Sequence, residues 1–492
     1  MASSDEERGS GRLKRAFGGF VVVALVAGGG VAWQTGWAEQ QWDDFRNGQS
    51  GVPADPAAVA PPPEVDVPDV VLPGAVAEPA NGLGPLNPAA LKQALGDLND
   101  TDLGAHVLAA VGPLDGTGIA YEKAEGAVTA IPASTTKIVT SAVALFLLGG
   151  DKVFKTTTVL DRSGTTPTLT LVGGGDPFLS SSAPEPATAG SATFEPKRAS
   201  IRTLARLTAR ALKADGILSV QFAYDDSLFS GPAINPTWEP GYVPDDIAPI
   251  TALWVDQGRD PDGSGRVMAP SVTAAELFRK VLARNGIKTT GRTGHAVAPA
   301  AATPVSSVSS PTVAQIVQRL IEVSDNSAAE VLLRQIGVAD QGAGSSAAGQ
   351  AGVERVLAAN GVKFGDSVLY DGSGLSRDNR LEPAVLIGVL RMAAADAHPE
   401  LRPLLAALPV AGFTGSLANR MDRGPAAGRG RVRAKTGTLS NVSSLAGIAV
   451  DRDGNLMAFA LMADRIKDPK ETLAQTALDN AAASLGACSC GR

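Results

Sequence analysis

The sequence predicts an α+β protein in which helices cover an antiparallel sheet. Two short apolar runs surround a turn at Pro113 to Gly116 in "AHVLAAVGPLDGTGIAYE" and predict a first hairpin. Three further strands follow one another in "RVRAKTGTLSNVSSLAGIAVDRDGNLMAFALMAD", with a turn at Asp453-Gly454. Helical stretches lie before and after these strands, including "NPAALKQAL", where Asn87 is the expected N-cap. Hairpins flanked by early and late helices are typical of the α+β class, because the apolar faces of a sheet must be covered.

The overall composition narrows the classes of function. The chain has 492 residues, enough for two or three domains, and a formal net charge of −7. No block of Lys and Arg occurs beyond residue 15, which argues against a nucleic-acid partner. No Cys/His group has the spacing of zinc ligands, so we expect neither a metal nor a cofactor. The two cysteines, Cys488 and Cys490, predict either free thiols or a local disulfide in a short tail, 488–492.

The N-terminus predicts export or membrane anchoring. Arg12, Lys14 and Arg15 precede an uncharged stretch, 16–33, whose helical length of roughly 27 Å approaches the thickness of a bilayer core. The basic flank, 1–15, is expected in the cytoplasm, which puts the bulk of the chain on the extracytoplasmic or periplasmic face. A transmembrane anchor and a cleaved signal peptide are the two interpretations, and cleavage would leave an exported protein. Residues 34–86 are rich in Pro and Ala and predict an extended linker from the membrane.

The first candidate for chemistry is a serine–lysine pair. Ser134 and Lys137 open the apolar run "IPASTTKIVTSAVALFLLGG", which predicts a buried helix. Residues three apart share a helix face, and the N-terminus of a helix favours developing negative charge. The lysine can act as a base only when neutral, and both burial and a second nearby cation lower a lysine pKa. The S-x-x-K pattern alone is common by chance.

Two further motifs follow in order. Ser324-Asp325-Asn326 lies between two helical stretches, and the K-T-G-T sequence begins at Lys435 on a predicted strand. S-x-x-K, S-D-N and K-T-G occur together, in this order, in penicillin-binding proteins and serine β-lactamases. A Ser-His-Asp triad is a poor alternative, because none of the three histidines has a catalytic context and no G-x-S-x-G turn is present.

The chain resembles the class C low-molecular-mass penicillin-binding proteins, a D-alanyl-D-alanine carboxypeptidase/endopeptidase family, in its actinobacterial form. The resemblance covers about residues 88 to 487 and includes "PASTTK", "LVGGGDP", "SDNSAAEVLLRQIG", "YDGSGLSRDNR" and "KTGTL". It implies a penicillin-binding-protein/serine β-lactamase-like transpeptidase domain formed by 87–154 and 301–487. The 190 residues between Ser134 and Ser324 fit the insertion that this family carries, here a β-rich segment at 155–300 with one clear helix.

The resemblance also implies roles for individual residues. Ser134 corresponds to the acylated nucleophile and Lys137 to its general base, while Ser324 and Asn326 relay a proton to the leaving D-alanine and orient the peptide. Lys435 supplies the second cation. The substrate-binding strand residues are Thr436, Gly437 and Thr438, of which the two threonines hold the terminal carboxylate. The backbone N–H groups of Ser134 and Thr438 form the oxyanion hole. The expected borders of the side-chain pocket are Leu375 and Arg377, with Trp238 and Asp245 or Asp246 closing it.

The implied function is a serine-type D-Ala-D-Ala carboxypeptidase that acts on peptidoglycan stem peptides through an acyl-serine, with cross-bridge (endopeptidase) cleavage as an additional activity to consider. β-Lactam antibiotics are then expected as covalent inhibitors. One alternative is a serine β-lactamase, since "EPAVL" at Glu382 partly resembles the box that carries a deacylating glutamate, although Leu386 replaces its asparagine. The other alternative is a non-catalytic penicillin-binding protein of the cell envelope.

Overall fold

The computed structural model describes residues 85–491, except 125, 183–194, 261, 264 and 422–427. The predicted cytoplasmic terminus, the 16–33 segment and almost the whole linker lie outside the described residues. Among the residues that are described, no helix combines the length and the apolar character needed to span a membrane. The anchor or signal peptide stays a prediction from the sequence.

Ten strands and ten helices of six or more residues make up the described part of the chain. The strands are β1 (Val107–Pro113), β2 (Tyr121–Lys123), β3 (Lys155–Asp161), β4 (Thr168–Val172), β5 (Ser219–Asp225), β6 (Lys288–Thr290), β7 (Thr303–Ser309), β8 (Val432–Leu439), β9 (Val442–Val450) and β10 (Leu456–Ala463). The helices are α1 (Pro88–Ala94), α2 (Thr136–Leu148), α3 (Ile201–Ala214), α4 (Pro270–Arg284), α5 (Val313–Val323), α6 (Asn326–Gln341), α7 (Ser346–Ala359), α8 (Pro383–Ala394), α9 (Arg402–Ala407) and α10 (Glu471–Ala487).

The first sheet has the strand order β2-β1-β10-β9-β8, and every neighbouring pair is antiparallel. Alternate side chains enter different cores. On β10, Met462 packs with α2, α5, α6 and α8 on one face, while Phe459 and Leu461 pack with α1 and α10 on the other. Both faces are therefore covered, as the period-2 pattern of strands requires. This arrangement is the predicted antiparallel sheet covered by helices.

Helix α2 lies in the middle of the first core. All ten of its residues from Thr136 to Leu145 are buried, including Lys137. A helix that is apolar on all sides needs neighbours on all sides, and α2 packs against α5, α6, α8 and the sheet. Helix α10 differs in one detail from the expected apolar face. Ala477, Leu478, Ala481 and Leu485 are buried, but Leu473 is 53% exposed because it lies in the first turn, beyond the edge of the core.

The insertion forms a separate five-stranded sheet with the order β6-β5-β4-β3-β7. Strands β4, β5 and β6 run parallel, whereas β3 pairs antiparallel with β4 and β7. Helices α3 and α4 cover this sheet through residues such as Leu204 and Phe278. The insertion is thus less β-rich than expected, since α4 was not foreseen. It also extends to Ser309 instead of residue 300, because β7 pairs with β3 and completes the sheet.

The C-terminal segment belongs to the folded domain. A disulfide joins Cys488 to Cys490, and Cys490 is fully buried in the second core. The backbone N–H of Cys490 donates to Asp451 Oδ2 (3.0 Å), and its carbonyl accepts from the N–H of Asn87 (2.7 Å). Residues 488–491 therefore close the domain against its first helix, whereas the sequence predicted a tail. Asn87 caps α1 as expected, through hydrogen bonds from Ala89 and Ala90.

Candidate active site

Ser134 lies on a single 3₁₀ turn, Ala133–Thr135, that leads directly into α2. Ala133 has a φ of 47°, a left-handed conformation that is uncommon for a residue with a side chain. Two hydroxyl groups hold this turn: Thr135 Oγ1 donates to the carbonyl of Pro132 (2.7 Å), and Thr136 Oγ1 donates to that of Ala133 (2.9 Å). The nucleophile turn is thus fixed in a strained shape, a common feature of catalytic positions.

Lys137 lies at the centre of a catalytic cluster formed by residues of the S-x-x-K and S-D-N motifs and by Ser373. Its Nζ donates to Ser134 Oγ (2.9 Å), Asn326 Oδ1 (2.7 Å) and the carbonyl of Ser373 (2.6 Å). The ammonium group therefore has all three of its donors in use, and its side chain is fully buried. Three segments that are far apart in sequence meet at this one nitrogen.

The S-D-N residues occupy the sharp turn between α5 and α6. Ser324 ends α5 with a φ of 62°, Asp325 caps α6 by accepting from the N–H of Ala328 (2.9 Å), and Asn326 is the first residue of α6. Gln257, from the insertion, donates its side-chain amide to both carboxylate oxygens of Asp325 (2.9 and 2.7 Å). The insertion therefore helps to hold the turn that presents Asn326 to Lys137. No motif in the sequence indicates this role of Gln257.

A loop at residues 371–376 supplies the carbonyl that Lys137 contacts. Asp371 is fully buried and accepts from the N–H groups of Gly374 (2.8 Å) and Ser376 (2.6 Å). Glu330, on α6, accepts from the N–H of Ser373 (2.8 Å). These two carboxylates fold the loop around Lys137. The sequence gives a local signal for Asp371 alone, because an aspartate before Gly-Ser-Gly is typical of such turns.

Strand β8 carries Lys435 and forms the other wall. Lys435 is fully buried and donates to the carbonyl of Thr436 (2.8 Å), while Thr436 Oγ1 donates to Ser416 Oγ (3.0 Å). A Cβ at Gly437 would lie 3.1 Å from the backbone nitrogen of Ser134 and 2.6 Å from the carbonyl of Pro132. The absence of a side chain at Gly437 therefore lets β8 pass directly beside the nucleophile turn.

The outer edge of β8 is open next to the nucleophile. Residues 409–411 pair with its first half, with the N–H of Ala434 donating to the carbonyl of Pro409 (2.9 Å). Beyond Ala434, no strand in the described residues pairs with this edge. Thr438 is exposed there. An unpaired strand edge can accept an extended peptide as an added strand.

Burial controls the charge of the two site lysines. It lowers the pKa of Lys137 to about 8, even though the carboxylates of Asp371, Glu330 and Asp325 act in the opposite direction. Burial also lowers the pKa of Lys435 to well below its usual value, and the charge of Lys137 adds to that effect. We expected the second cation to depress the pKa of Lys137. In the structure, burial is the main cause of the lowered pKa of Lys137. The repulsion between the two lysines instead lowers the pKa of Lys435.

The predicted pocket residues lie in two settings. Trp238 and Leu375 are buried and belong to one apolar cluster, in which Trp238 Nε1 donates to Asp371 Oδ2 (2.9 Å). Leu375 belongs to the 371–376 loop, and Trp238 holds the loop through its hydrogen bond to Asp371. Arg377 is partly exposed and donates to the carbonyl of Ser440 (3.0 Å), beside the β8–β9 turn. Asp245 and Asp246 are both exposed. Substrate contacts by these residues stay predictions.

Substitution of Gly374 by alanine should disrupt the site. Gly374 has a φ of +83°, and a Cβ at this position would overlap the carbonyl oxygen of Ala133 in the nucleophile turn. We expect the Gly374→Ala variant to lose about 4 kcal/mol or more of stability and at least tenfold in acylation rate. The backbone of the loop or of the nucleophile turn must shift to make room for the added methyl group. Gly361→Ala is the matched control, because Gly361 also has positive φ (+75°) but open space around it. It should cost only about 1–2 kcal/mol. Equal melting temperatures and acylation rates for the two variants would contradict this role of Gly374.

Penicillin-binding proteins and serine β-lactamases are the class of protein defined by a serine–lysine pair, an S-D-N turn and a K-T-G strand that meet in this way. No group of three or more possible metal ligands occurs in the described residues. Within this class, the chain belongs to the D-Ala-D-Ala carboxypeptidase 3 (S13) family, whose model matches residues 90–262 and 262–485.

Similar proteins agree with this assignment. The chain is 33% identical over 369 residues to Carboxypeptidase Rv3627c of Mycobacterium tuberculosis, covering 73% of this chain and 76% of that protein. It is 30% identical over 438 residues to the D-alanyl-D-alanine carboxypeptidase of Actinomadura sp. (strain R39), covering 74% and 78%.

Solved structures show the same fold. The crystal structure of penicillin binding protein 4 from Haemophilus influenzae matches with a TM-score of 0.64 and 20% identity, over 80% of this chain and 98% of that one. The structure of the same protein complexed with a β-lactam matches with a TM-score of 0.58. The predicted α+β fold and the predicted class of enzyme, a serine-type D-Ala-D-Ala carboxypeptidase, are confirmed by the family match and by these relatives.

Proposed function

We propose that this chain removes the terminal D-alanine from peptidoglycan stem peptides, with Ser134 as the acylated nucleophile. One observation carries the assignment of the residues: Lys137 Nζ lies 2.9 Å from Ser134 Oγ, and burial lowers its pKa to about 8. A serine hydroxyl needs a base within hydrogen-bond distance, and a lysine with this pKa is neutral in part of the population near neutral pH.

In the first half of the reaction, Ser134 Oγ attacks the carbonyl carbon of the penultimate D-alanine and passes its proton to neutral Lys137. The negative charge on the carbonyl oxygen is stabilised by the backbone N–H groups of Ser134 and Thr438. Preorganised donors of this kind contribute a few kcal/mol each to the rate. The position of β8 beside the nucleophile turn supports this pairing of donors, because Gly437 lies between the two.

In the second half, the proton on Lys137 returns to the amide nitrogen through Ser324, the C–N bond breaks and free D-alanine leaves. Water then attacks the ester of Ser134, and Lys137 accepts its proton. Lys137 passes this proton to Ser134 Oγ as the ester C–O bond breaks, and the shortened stem peptide is released. Asn326 orients the acyl peptide while it holds Lys137 (2.7 Å). The turn that carries Ser324 and Asn326 is fixed on two sides, by the α6 cap and by Gln257.

The terminal carboxylate of the substrate binds at the K-T-G strand. Lys435, Thr436 and Thr438 supply the charge and the hydroxyl groups, and the open edge of β8 aligns the peptide. A bound carboxylate raises the pKa of a nearby lysine and so opposes the effect of burial on Lys435.

β-Lactams are covalent inhibitors on this proposal, because their ring carbonyl occupies the place of the scissile amide. A β-lactamase is disfavoured by the position of Glu382. Its carboxylate accepts from the N–H of Asp366 (2.7 Å) and lies against Gly365. Within the described part of the chain, Glu382 forms no hydrogen bond with Ser134 or Lys137, and its carboxylate is engaged elsewhere.

We place the enzyme outside the cytoplasm, on the basic and apolar pattern of residues 1–33. It remains bound to the membrane if segment 16–33 is an anchor. Fractionation of producing cells, followed by N-terminal sequencing, distinguishes an anchor that keeps residues 16–33 from an exported chain that has lost them. Recovery of the intact chain from the cytosol would contradict both.

The function is tested by two assays on the same preparation. A peptide ending in D-Ala-D-Ala should release D-alanine, whereas the same peptide ending in L-Ala-L-Ala should not. A fluorescent penicillin should form an adduct that persists far longer than one turnover of the peptide. Rapid loss of the adduct without peptide hydrolysis would identify a β-lactamase, and no adduct with no hydrolysis would identify a non-catalytic protein.

A further inference from the structure

A cavity of about 600 Å³ opens beside the S-D-N turn. Part of its wall comes from the insertion, including Phe178 and Gln257, and part from the turn itself, including Ser324 and Asn326. Asn326 is shared with the catalytic cluster, since its side chain also accepts the hydrogen bond from Lys137. Asn326 therefore borders both the cavity and the catalytic lysine.

Four arginines and four carboxylate side chains line this cavity. Two of its four arginines are ion-paired, Arg198 with Asp256 (3.3 Å) and Arg319 with Glu195 (2.8 Å). Of the other two carboxylates, Asp325 is engaged by Gln257 and by the N-terminus of α6, whereas Asp246 is exposed.

The other two arginines, Arg259 and Arg266, form no ion pair with a carboxylate in the part of the chain that the structure describes. Arg266 donates to the backbone carbonyls of Gln257 (3.1 Å) and Asp246 (3.2 Å). Burial lowers the pKa of Arg266 and the neighbouring charge of Arg259 lowers it further, while the carboxylates of Asp325 and Asp246 act in the opposite direction. A guanidinium stays charged under such shifts, so a ligand carboxylate that enters the cavity can pair with Arg259 and Arg266.

The wall that carries these cations is held in an unusual backbone conformation. Asp256 and Gln257 have φ values of 49° and 56°, and Gly258 follows at 68°. Consecutive left-handed residues with side chains are rare and tend to persist at functional sites. Here the conformation directs the buried Gln257 side chain to Asp325 and so attaches the arginine-bearing segment to the catalytic turn.

We propose that this cavity is a subsite for a second carboxylate, carried by the leaving group of the peptide, with Arg259 and Arg266 as its ligands. The inference rests on the proposed function, which assigns Ser324, a residue of the cavity wall, to the leaving amine. In the proposed function the K-T-G strand binds the first carboxylate of the leaving residue. A leaving residue with an acidic side chain offers a second carboxylate to the cavity, and guanidinium groups bind carboxylates through paired hydrogen bonds. The subsite suits cleavage of cross-links between acidic peptides.

Three peptides that differ only in the last residue test the subsite. They end in D-Ala-D-Ala, D-Ala-D-Glu and D-Ala-D-Gln, so that only the second carries an extra carboxylate. We expect the wild type to cleave the D-Glu peptide with a kcat/KM about tenfold above that for the D-Gln peptide. The Arg259→Gln/Arg266→Gln variant should reduce this ratio to near one and leave D-Ala-D-Ala cleavage within about twofold.

Arg206→Gln/Arg210→Gln is the matched control, because it removes the same charge from the exposed side of α3 in the same insertion. It should keep the preference for D-Glu. Arg259 is exposed, so Arg259→Gln alone provides a folded variant, with the ratio reduced about threefold. A wild type that releases D-Ala but does not prefer D-Glu overturns the subsite alone, as does a preference that survives in the double variant. A wild type that cleaves none of the peptides overturns the proposed function and the subsite together.

Discussion

Replacement of Ser134 by alanine should abolish covalent labelling by penicillin and lower peptide hydrolysis by on the order of 10⁶-fold, as loss of the acylated serine does in other serine hydrolases. The change removes only the hydroxyl, which receives a hydrogen bond from Lys137 (2.9 Å). The nucleophile turn keeps its shape, because Thr135 and Thr136 hold it through their own hydroxyls. Mass spectrometry of penicillin-treated protein measures the adduct, and thermal unfolding measures whether the fold is intact.

Ser141→Ala is the matched control for this variant. Ser141 lies two turns further along α2, is fully buried, and its hydroxyl has no hydrogen-bond partner among the described residues. The same chemical change there should leave labelling and hydrolysis unchanged. A stable penicilloyl adduct on the Ser134→Ala protein would show that another residue is the nucleophile.

The acylation rate should rise tenfold per pH unit below about pH 8 and level off above it. Lys137 must be neutral to accept the serine proton, and burial lowers its pKa to about 8, so the neutral fraction grows until the pH passes that value. Lys137→Arg should lose about 10²–10⁴-fold in rate, nearly as much as Lys137→Ala, because a guanidinium does not give up its proton in this range. Stopped-flow acylation by a chromogenic cephalosporin, measured against pH, reports both effects.

Lys152→Arg is the corresponding control, since Lys152 is exposed and outside the site. It should retain the wild-type rate and pH profile. If Lys137→Arg instead kept most of the rate, Lys137 would act through its charge alone. The base would then have to be another group, with Ser324 the next candidate.

The motifs were predictable because each is short, contiguous and located at a local boundary. Ser134 precedes a helix, Asn326 begins one, and Lys435 lies within a strand, and all three placements follow from the pattern of neighbouring residues. The supporting carboxylates were not predictable in this way. Glu330 and Ser373 are 43 positions apart, and Gln257 and Asp325 are 68 apart. No local pattern indicates that such residues meet.

The C-terminal boundary of the insertion was predicted at residue 300 instead of Ser309 for a related reason. Strand β7, "TPVSSVS", is polar and largely exposed, so it lacks the alternation of apolar residues that marks a half-buried strand. It forms only because β3 offers an edge for pairing. The resemblance predicted Trp238 and Leu375 as pocket residues, and the structure packs both into one small apolar cluster, so their contact with substrate stays a prediction.

The contact between Asn87 and Cys490 brings the two ends of the folded domain to within one hydrogen bond (2.7 Å). A short peptide could therefore join them, and new ends could be opened at an exposed turn such as Gly361. In that circularly permuted chain the K-T-G strand would come first, then S-x-x-K, then S-D-N. The chemistry depends on the groups that surround one lysine nitrogen, so the familiar order of the motifs reflects ancestry and connectivity and is no requirement of the catalytic mechanism.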